Sequence, residues 1–492
     1  MQQKNTDMNK KLIIVLLTVM AATATVGAHE LEGINADGDT LWFNDVSKEY
    51  GMNAVEVTYK GNWFGAVGNE YYDTIRIPDN ITIKSKSYRV VGIGEQAFAE
   101  CFTLLSVTIP ESIKYIRDKA FQSCCHIKQI NYNAVRCADL TLPSFAPFSY
   151  SNMAYGAYVY DADGDPQSYW SAYDLQEVNI GVNVERLPDY MFYGMGGGLT
   201  QADLSKRPYD IVTSKAGVAH INFLGSPKEI GNQTFRACHL LEEITIPNSV
   251  TSVGQALFAN CDTLMTVVLP DGIEEIPAYF FSGCKQLANV NLPTSVKSVN
   301  YESFKQCAKL ENLTLHEGLT TIGPSAFRSC ENLKTAALPS TLTTIDGYSF
   351  SNCTALTEIV IPEGVSMIGN YAFEDCTNLG KVTLAGNTRL IGNFVFAGCL
   401  KLSEGEFHAP AKMPQIQEDT FFGVANTMNV IVPQESQNEY RNDPYWGRFF
   451  MPTALENTDA ARETSTKRIV NGQLFIEHNG TVYSVSGQMS GK

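Results

Sequence analysis

The chain has 492 residues, 44% of them hydrophobic and 11% aromatic, and a formal net charge of −16. That length suits about two to four domains, and the composition excludes global disorder. The acidic balance argues against a nucleic-acid partner, which needs a basic footprint.

Residues 1–28 read as a secretory signal peptide. Lys4, Lys10 and Lys11 make a basic start, and Leu12 to Met20 is an apolar core too short to span a membrane. Val26-Gly27-Ala28 supplies the small residues of a cleavage site. No Cys lies beside that site, which argues against a lipid anchor there, and no later apolar stretch is long enough to cross a bilayer. The mature chain is therefore expected to be exported: at the cell surface, in the extracellular space or in the periplasm.

Residues 29–92 are irregular but strand-like. "NAVEVTYKGNW" alternates apolar and polar residues, and "DTIRIPDNIT" carries an apolar pair two apart, Ile75 and Ile77, closed by Pro78.

From Ile93 a repeat takes over. Cys101 and Cys124 are 23 residues apart, and the same interval separates Cys238, Cys261, Cys284, Cys307, Cys330, Cys353, Cys376 and Cys399. Each has a Phe three residues before it, from Phe98 and Phe121 to Phe373 and Phe396. Three after each Cys stands Leu or Ile, and eight after it an apolar residue usually followed by Pro, as in Ile246-Pro247 and Ile361-Pro362. Eight before it stands Ile or Val, often followed by Gly, as in Ile230-Gly231 and Ile368-Gly369. A period of about 20–29 residues built on L-x-x-L-x-L is that of leucine-rich repeats. I-x-L places two side chains on one side of a short strand, Pro ends it, Ile-Gly turns the chain, and A-F-x-x-C suits a short helix with Phe and Cys on one face. One unit cannot bury enough apolar surface alone, so neighbouring units must stack and share a core. Phe and Cys become the large and small pieces of that shared column, with the Cys acting as buried thiols. Helical segments about 8–10 Å apart would also be too distant for disulfides, which need Cα atoms within about 7 Å. Cys125 and Cys137 lie off the ladder, and a disulfide between them stays open.

Residues 93–133 hold the first repeats. At "NYNAVRCADL" the register breaks, and residues 134–174 form an aromatic-rich excursion that includes Tyr155, Tyr158, Tyr169 and Trp170. The pattern resumes with Phe192 and Met195 in the Phe and Cys slots, so 134–229 is read as a stretched part of one solenoid. Regular repeats run over 230–424, the last using Phe421 and Val424. Residues 425–453 are read as a closing cap in which Tyr440 and Trp446 cover the final core. Residues 29–92 are read as the cap at the other end. Residues 454–467 have linker composition, and 468–492 read as a hairpin around Asn479-Gly480. The expected fold is an α/β leucine-rich-repeat solenoid. Short parallel strands form one face and short helices or turns the other, with an N-terminal β cap and a small β-hairpin tail.

The A-F-x-x-C units resemble the BspA-like leucine-rich repeats of bacterial surface proteins, over roughly residues 53–450. "AVEVTYKG" through "SYRVVGIGEQAFAEC" is similar to that family's usual beginning, and "VIVPQESQNEYRNDPYWGRF" to its usual end. The resemblance implies adhesion or ligand binding and brings no catalytic motif.

The residues themselves show no H-E-x-x-H, G-x-S-x-G, P-loop or papain-type Cys context, so a non-enzymatic protein without cofactor is expected. No C-x-x-C occurs, and "DADGDPQS" places its Gly too early for a calcium loop, with Ala172 where a bidentate Glu belongs. If residues six and eight after each Cys point inward, residue seven points outward. That gives a row of Thr245, Val268, Asn291, Thr314, Ala337, Val360 and Thr383, small and uncharged. Such a row simply suits strands, or else it is a docking face for a macromolecular ligand, most simply a protein. Tyr155, Tyr158, Tyr169 and Trp170 are the alternative anchors, for protein or for glycan rings.

Overall fold

The computed structural model describes residues 31–60, 71–124, 126–141, 147–148, 175–195, 220–239 and 241–450, and by backbone alone 155–160, 166–172, 465–470, 473–478 and 481–484. The expected signal peptide, Cys125 and the acidic turn at 161–165 lie outside them. The chain divides into two compact units, Met1–Gly318 and Leu319–Lys492.

The first unit begins with the sheet expected at this end. Leu31–Ile34 and Thr40–Asp45 form an antiparallel pair, and Ala54–Thr58 joins them antiparallel on one edge and Lys86–Ile93 parallel on the other. Leu41, Phe43, Val55, Val57 and Val90 are fully buried in this sheet. The Tyr71 hydroxyl donates to the Thr58 carbonyl at 2.8 Å, and its ring lies 4.6 Å from that of Phe98. Lys86–Ile93 also pairs in parallel with Tyr115–Ile116, so the sheet runs directly into the repeats.

Each repeat is a coil joined to its neighbours along three sides. The first side is the I-x-L strand. Asp73–Arg76, Leu104–Ile109, Gln129–Tyr132, Glu177–Ile180 and His220–Phe223 form one parallel ladder, and Glu243–Thr245, Thr266–Val268 and Asn289–Val290 another. Glu177–Ile180 pairs with Gln129–Tyr132 as the next rung, so the ladder continues on both sides of the long sequence between them. The second side is a two-residue strand ending in Ile or Val, as in Glu229–Ile230 against Ser252–Val253. The Gly that often follows is required by crowding. A Cβ on Gly254 would lie 2.4 Å from the Asn232 nitrogen of the preceding coil.

The third side carries Phe and Cys, and here the structure departs from the expected short helix. The segment is a run of turns in which the residue two before Phe and the residue before Cys are left-handed, for example Gln96 (φ 56°) and Glu100 (φ 61°). Their N–H groups, with that of Phe, donate to the next coil: Gln96 to Asp118 (3.2 Å), Phe98 to Ala120 (2.8 Å) and Glu100 to Gln122 (2.7 Å). The reason is spacing. Coils paired through strands repeat about every 4.8 Å, and direct hydrogen bonds between coils on this side too keep a similarly close interval, narrower than a helix of about 10 Å diameter would need.

The Phe rings of successive coils accordingly stack, 4.9 Å apart for Phe98 and Phe121 and 5.9 Å for Phe235 and Phe258. This corrects the distance argument against disulfides, which assumed helical spacing. The ladder cysteines are nonetheless free, buried thiols. Thiol groups of the ladder donate to carbonyls of the preceding coil: Cys261 to Phe235 (3.0 Å) and Cys284 to Phe258 (3.1 Å). Cys137 is also a free, buried thiol.

The second unit repeats this plan. Thr321–Ile322, Thr344–Ile345, Met367–Ile368 and Leu390–Ile391 form one parallel ladder, and Glu358–Ile361, Lys381–Leu384, Glu406–His408 and Asn429–Ile431 another. Phe327, Phe350, Phe373, Phe396 and Phe421 stack in sequence. Helix Gln437–Asn442 and the 3-10 turn Gly447–Phe450 then close the column. Tyr440 and Trp446 are fully buried, and the Trp446 indole donates to the Pro414 carbonyl at 2.9 Å. The tail has three antiparallel strands, Ser465–Val470, Gln473–His478 and Thr481–Ser484. The first begins within the segment expected as linker, so the tail is a meander rather than a two-stranded hairpin.

Candidate functional site

Strand alternation sets the outward rows. In the first unit Ile244 and Ile246 are buried and Thr245 between them is exposed. Val268, 50% exposed, continues the row, followed by exposed Asn291 and Thr314. In register, Thr245 faces Val268 and Glu243 faces Thr266, which in turn faces Asn289. In the second unit Ala337 is exposed and Val360 is 55% exposed, whereas Thr383 is half-buried, unlike the rest of its row. Thr383 is paired on both sides, with Val360 and with His408.

A second outward row, two residues earlier in each strand, carries Glu358, Lys381 and Glu406 in register. The His408 ring lies 2.9 Å from the Glu406 carboxylate, and that hydrogen bond holds the carboxyl below its usual range. These rows are broad and weakly charged. They suit contact with a macromolecule along several strands rather than chemistry at a point. Among the described residues no three His, Cys, Asp or Glu side chains cluster as metal ligands.

The residue-by-residue reading missed an amide ladder on the same face of the first unit. Asn131 donates to the Thr108 hydroxyl (3.3 Å), Asn179 to Asn131 (3.0 Å) and Asn222 to Asn179 (2.9 Å). Gln129 and Asn222 both donate to the Glu177 carboxylate, each at 2.7 Å. The signal was present in three triplets, Ile130-Asn131-Tyr132, Val178-Asn179-Ile180 and Ile221-Asn222-Phe223, each an Asn between two inward apolar residues.

The aromatic excursion contains an antiparallel hairpin, Tyr155–Tyr160 against Pro166–Ala172, in which Tyr158 pairs with Tyr169 and Ala157 with Trp170. The side chains of Tyr155, Tyr158, Tyr169 and Trp170 lie outside the described part.

Two surface hollows stand apart from these rows. One, of about 450 Å³, lies on the second side of the coils and is lined by Ser252, Glu274, Glu275, Lys297 and Ser298. Lys297 and Glu274 pair there at 2.9 Å. The other, of about 390 Å³, lies between the last coil and its closing segment, lined by Ile416, Gln417, Glu418, Phe421, Tyr445 and Arg448.

A family model described as the BspA type leucine rich repeat region matches residues 67–197, 213–334 and 343–442, in six copies. Similar solved structures include a leucine-rich repeat protein from Bacteroides ovatus ATCC 8483, 20% identical, covering 80% of this chain and 98% of that chain, with a TM-score of 0.37. The pneumococcal vaccine antigen PcpA is 20% identical, over 84% of this chain and 96% of its own, with a TM-score of 0.45. A leucine rich cell surface protein from Faecalibacterium prausnitzii A2-165 is 18% identical, over 83% of this chain and 97% of its own, with a TM-score of 0.33. No curated protein matches the chain.

Proposed function

The chain belongs to the BspA-type leucine-rich repeat family, and from that premise we propose that it is an exported, non-enzymatic binding protein of the bacterial surface. Its partner is a host or bacterial surface protein, and adhesion is the outcome. The matching family is a repeat family rather than an enzyme family, and no helix among the described residues is long and apolar enough to cross a membrane.

One observation carries the reading: exposed, small, weakly charged residues recur in register on neighbouring strands, through Thr245 and Val268 and again at Val360. Such a face offers contact area with little desolvation of charge. The test is binding of the mature chain to a panel of purified extracellular-matrix and bacterial surface proteins. Val268→Lys with Asn291→Lys should abolish binding at unchanged thermal stability, while Lys285→Glu, on the turn side, should leave it intact. Binding that survives the strand variants and is lost with Lys285→Glu would remove this face as the site.

A second reading is a carbohydrate-binding component of a surface glycan-uptake system. It is favoured by the hairpin that carries Tyr155, Tyr158, Tyr169 and Trp170 on two paired strands, since aromatic rings suit sugar faces. Glycan-array binding that Trp170→Ala abolishes would select it.

A further inference from the structure

The hollow beside the last coil has the chemistry of a site. Arg448 stands at its wall, half-buried, with its guanidinium donating to the Phe421 carbonyl at 3.2 Å and lying 4.5 Å from the Phe449 ring. Phe421 belongs to the final coil, and Tyr445 and Arg448 to the closing segment, so both elements shape the hollow.

The arginine differs from others in the protein. Arg117 pairs with Glu56, Arg136 with Glu185, and Arg186 with Asp139 and Glu229. Among the described residues Arg448 has no carboxylate within ion-pair distance, although Glu418 lines the same hollow. A guanidinium carries five N–H donors in a planar fork that matches a carboxylate. Here one carbonyl uses part of that fork. Burial lowers the pKa of the group, and no ion pair offsets it. A partly desolvated cation without a counter-charge is a place where an incoming anion gains more than it would at the open surface.

The rest of the wall narrows the ligand class. Ile416 and Phe421 are buried apolar residues, Tyr445 is 38% exposed, and Gln417 brings a side-chain amide. Glu418 disfavours a multiply charged anion such as phosphate. A single carboxylate attached to an apolar or aromatic group fits both the charge and the walls.

We infer that the hollow bounded by Ile416, Phe421, Tyr445 and Arg448 is a binding site for a polypeptide carboxylate with a neighbouring aromatic side chain. The carboxylate takes the free fork of Arg448, and the aromatic group rests against Ile416 and Tyr445. The site shares no residue with the exposed strand rows, so it stands or falls separately from the docking face.

Saturation-transfer titrations on the full mature chain test it. The probes are N-acetyl-phenylalanine, its amide, and N-acetyl-phenylalanyl-glutamic acid amide, which carries only a side-chain carboxylate. One or both carboxylate probes should bind saturably, and the simple amide about tenfold or more weaker, as expected for loss of a charged hydrogen-bonded pair. Tighter binding of the first probe identifies a chain terminus as the natural group, and tighter binding of the third an acidic side chain. Glu418→Gln should tighten either one. Arg448→Gln should weaken it to the level of the amide, and Arg448→Lys should recover only part. Equal binding of acid and amide by the unmodified protein, or no saturable binding of either acid, overturns the inference without reference to any variant. Wild-type affinity in a folded Arg448→Gln chain overturns it as well.

Discussion

The thiol of Cys376 donates to the carbonyl of Phe350, one coil back, at 3.2 Å. The same bond joins Cys353 to Phe327 and Cys399 to Phe373, each at 3.2 Å. Cysteine in this slot is thus a small apolar filler and a weak donor at once, reaching a carbonyl that also accepts the Cys N–H of its own coil, as Phe373 does from Cys376 at 3.3 Å.

Cys376→Ala should therefore cost about 1–2 kcal/mol, the sum of a small void and a weak hydrogen bond. Cys376→Leu should cost more, because fully buried Phe373 and Leu379 leave no room for two further carbons. Urea denaturation of the two variants against wild type checks the order, and a Leu variant as stable as Ala would refute the packing account.

Thiol reactivity is the second expectation. Burial pushes the Cys376 and Cys399 thiols well above their usual range and Cys137 up to about 12. The thiolate is the reactive form. The ladder cysteines and Cys137 should therefore resist an exposed-thiol reagent at pH 8 in the native protein and react in denaturant. Counting labelled cysteines by mass spectrometry in both states gives the answer.

Trp446 closes the second unit's column, with its ring 5.5 Å from Phe407 and 5.4 Å from Phe421. Trp446→Ala should destabilise by about 3–5 kcal/mol. Hydrogen exchange should report the loss first in the last coils, around Phe407 and Phe421, and a uniform loss across the second unit would contradict local closure.

At the other end, the Glu56 carboxylate accepts from Tyr115 (2.8 Å) and Arg117 (2.9 Å). Glu56→Ala should cost about 2–3 kcal/mol, less than a wholly buried pair because the Arg117 side chain is 42% exposed. Tyr115→Phe should cost about 1 kcal/mol. Thermal unfolding of both variants tests the ranking.

Acid should weaken the irregular stretch. Burial raises the Asp139 carboxyl, but hydrogen bonds from Arg186 and the Asp189 N–H outweigh it and hold the group below its ordinary 3.8. A folded value below the unfolded one contributes stability that is present above pH 3.8 and lost as pH falls through the folded value. The stability gap between wild type and Asp139→Asn, measured by urea at pH 6 and again below pH 3.8, should narrow in acid.

The Phe and Cys column of each unit was legible because a slot kept at one interval through repeat after repeat marks an interior position. The N-terminal sheet was legible from the alternation before Ile93. The turn conformation was not. Phe and Cys three apart fit a helical turn and a run of right- and left-handed turns equally well. What decides between them is the distance to the next coil, a tertiary quantity absent from a single repeat. The amide ladder lay in plain view in Asn131, Asn179 and Asn222, but it is recognisable only once Glu177–Ile180 is known to follow Gln129–Tyr132 as a rung. The Arg448 hollow depends on where the closing segment turns back, which no spacing encodes.

The pairing of Gln129–Tyr132 with Glu177–Ile180 across the long intervening segment has a consequence for how such a protein can diversify. The entropy of closing a loop grows only with the logarithm of its length. A bend between rungs can therefore take in foreign sequence while the hydrogen-bonded framework around it keeps its geometry. Novel recognition segments could be grafted at that bend, by recombination or by design, without recoding the stacked interior.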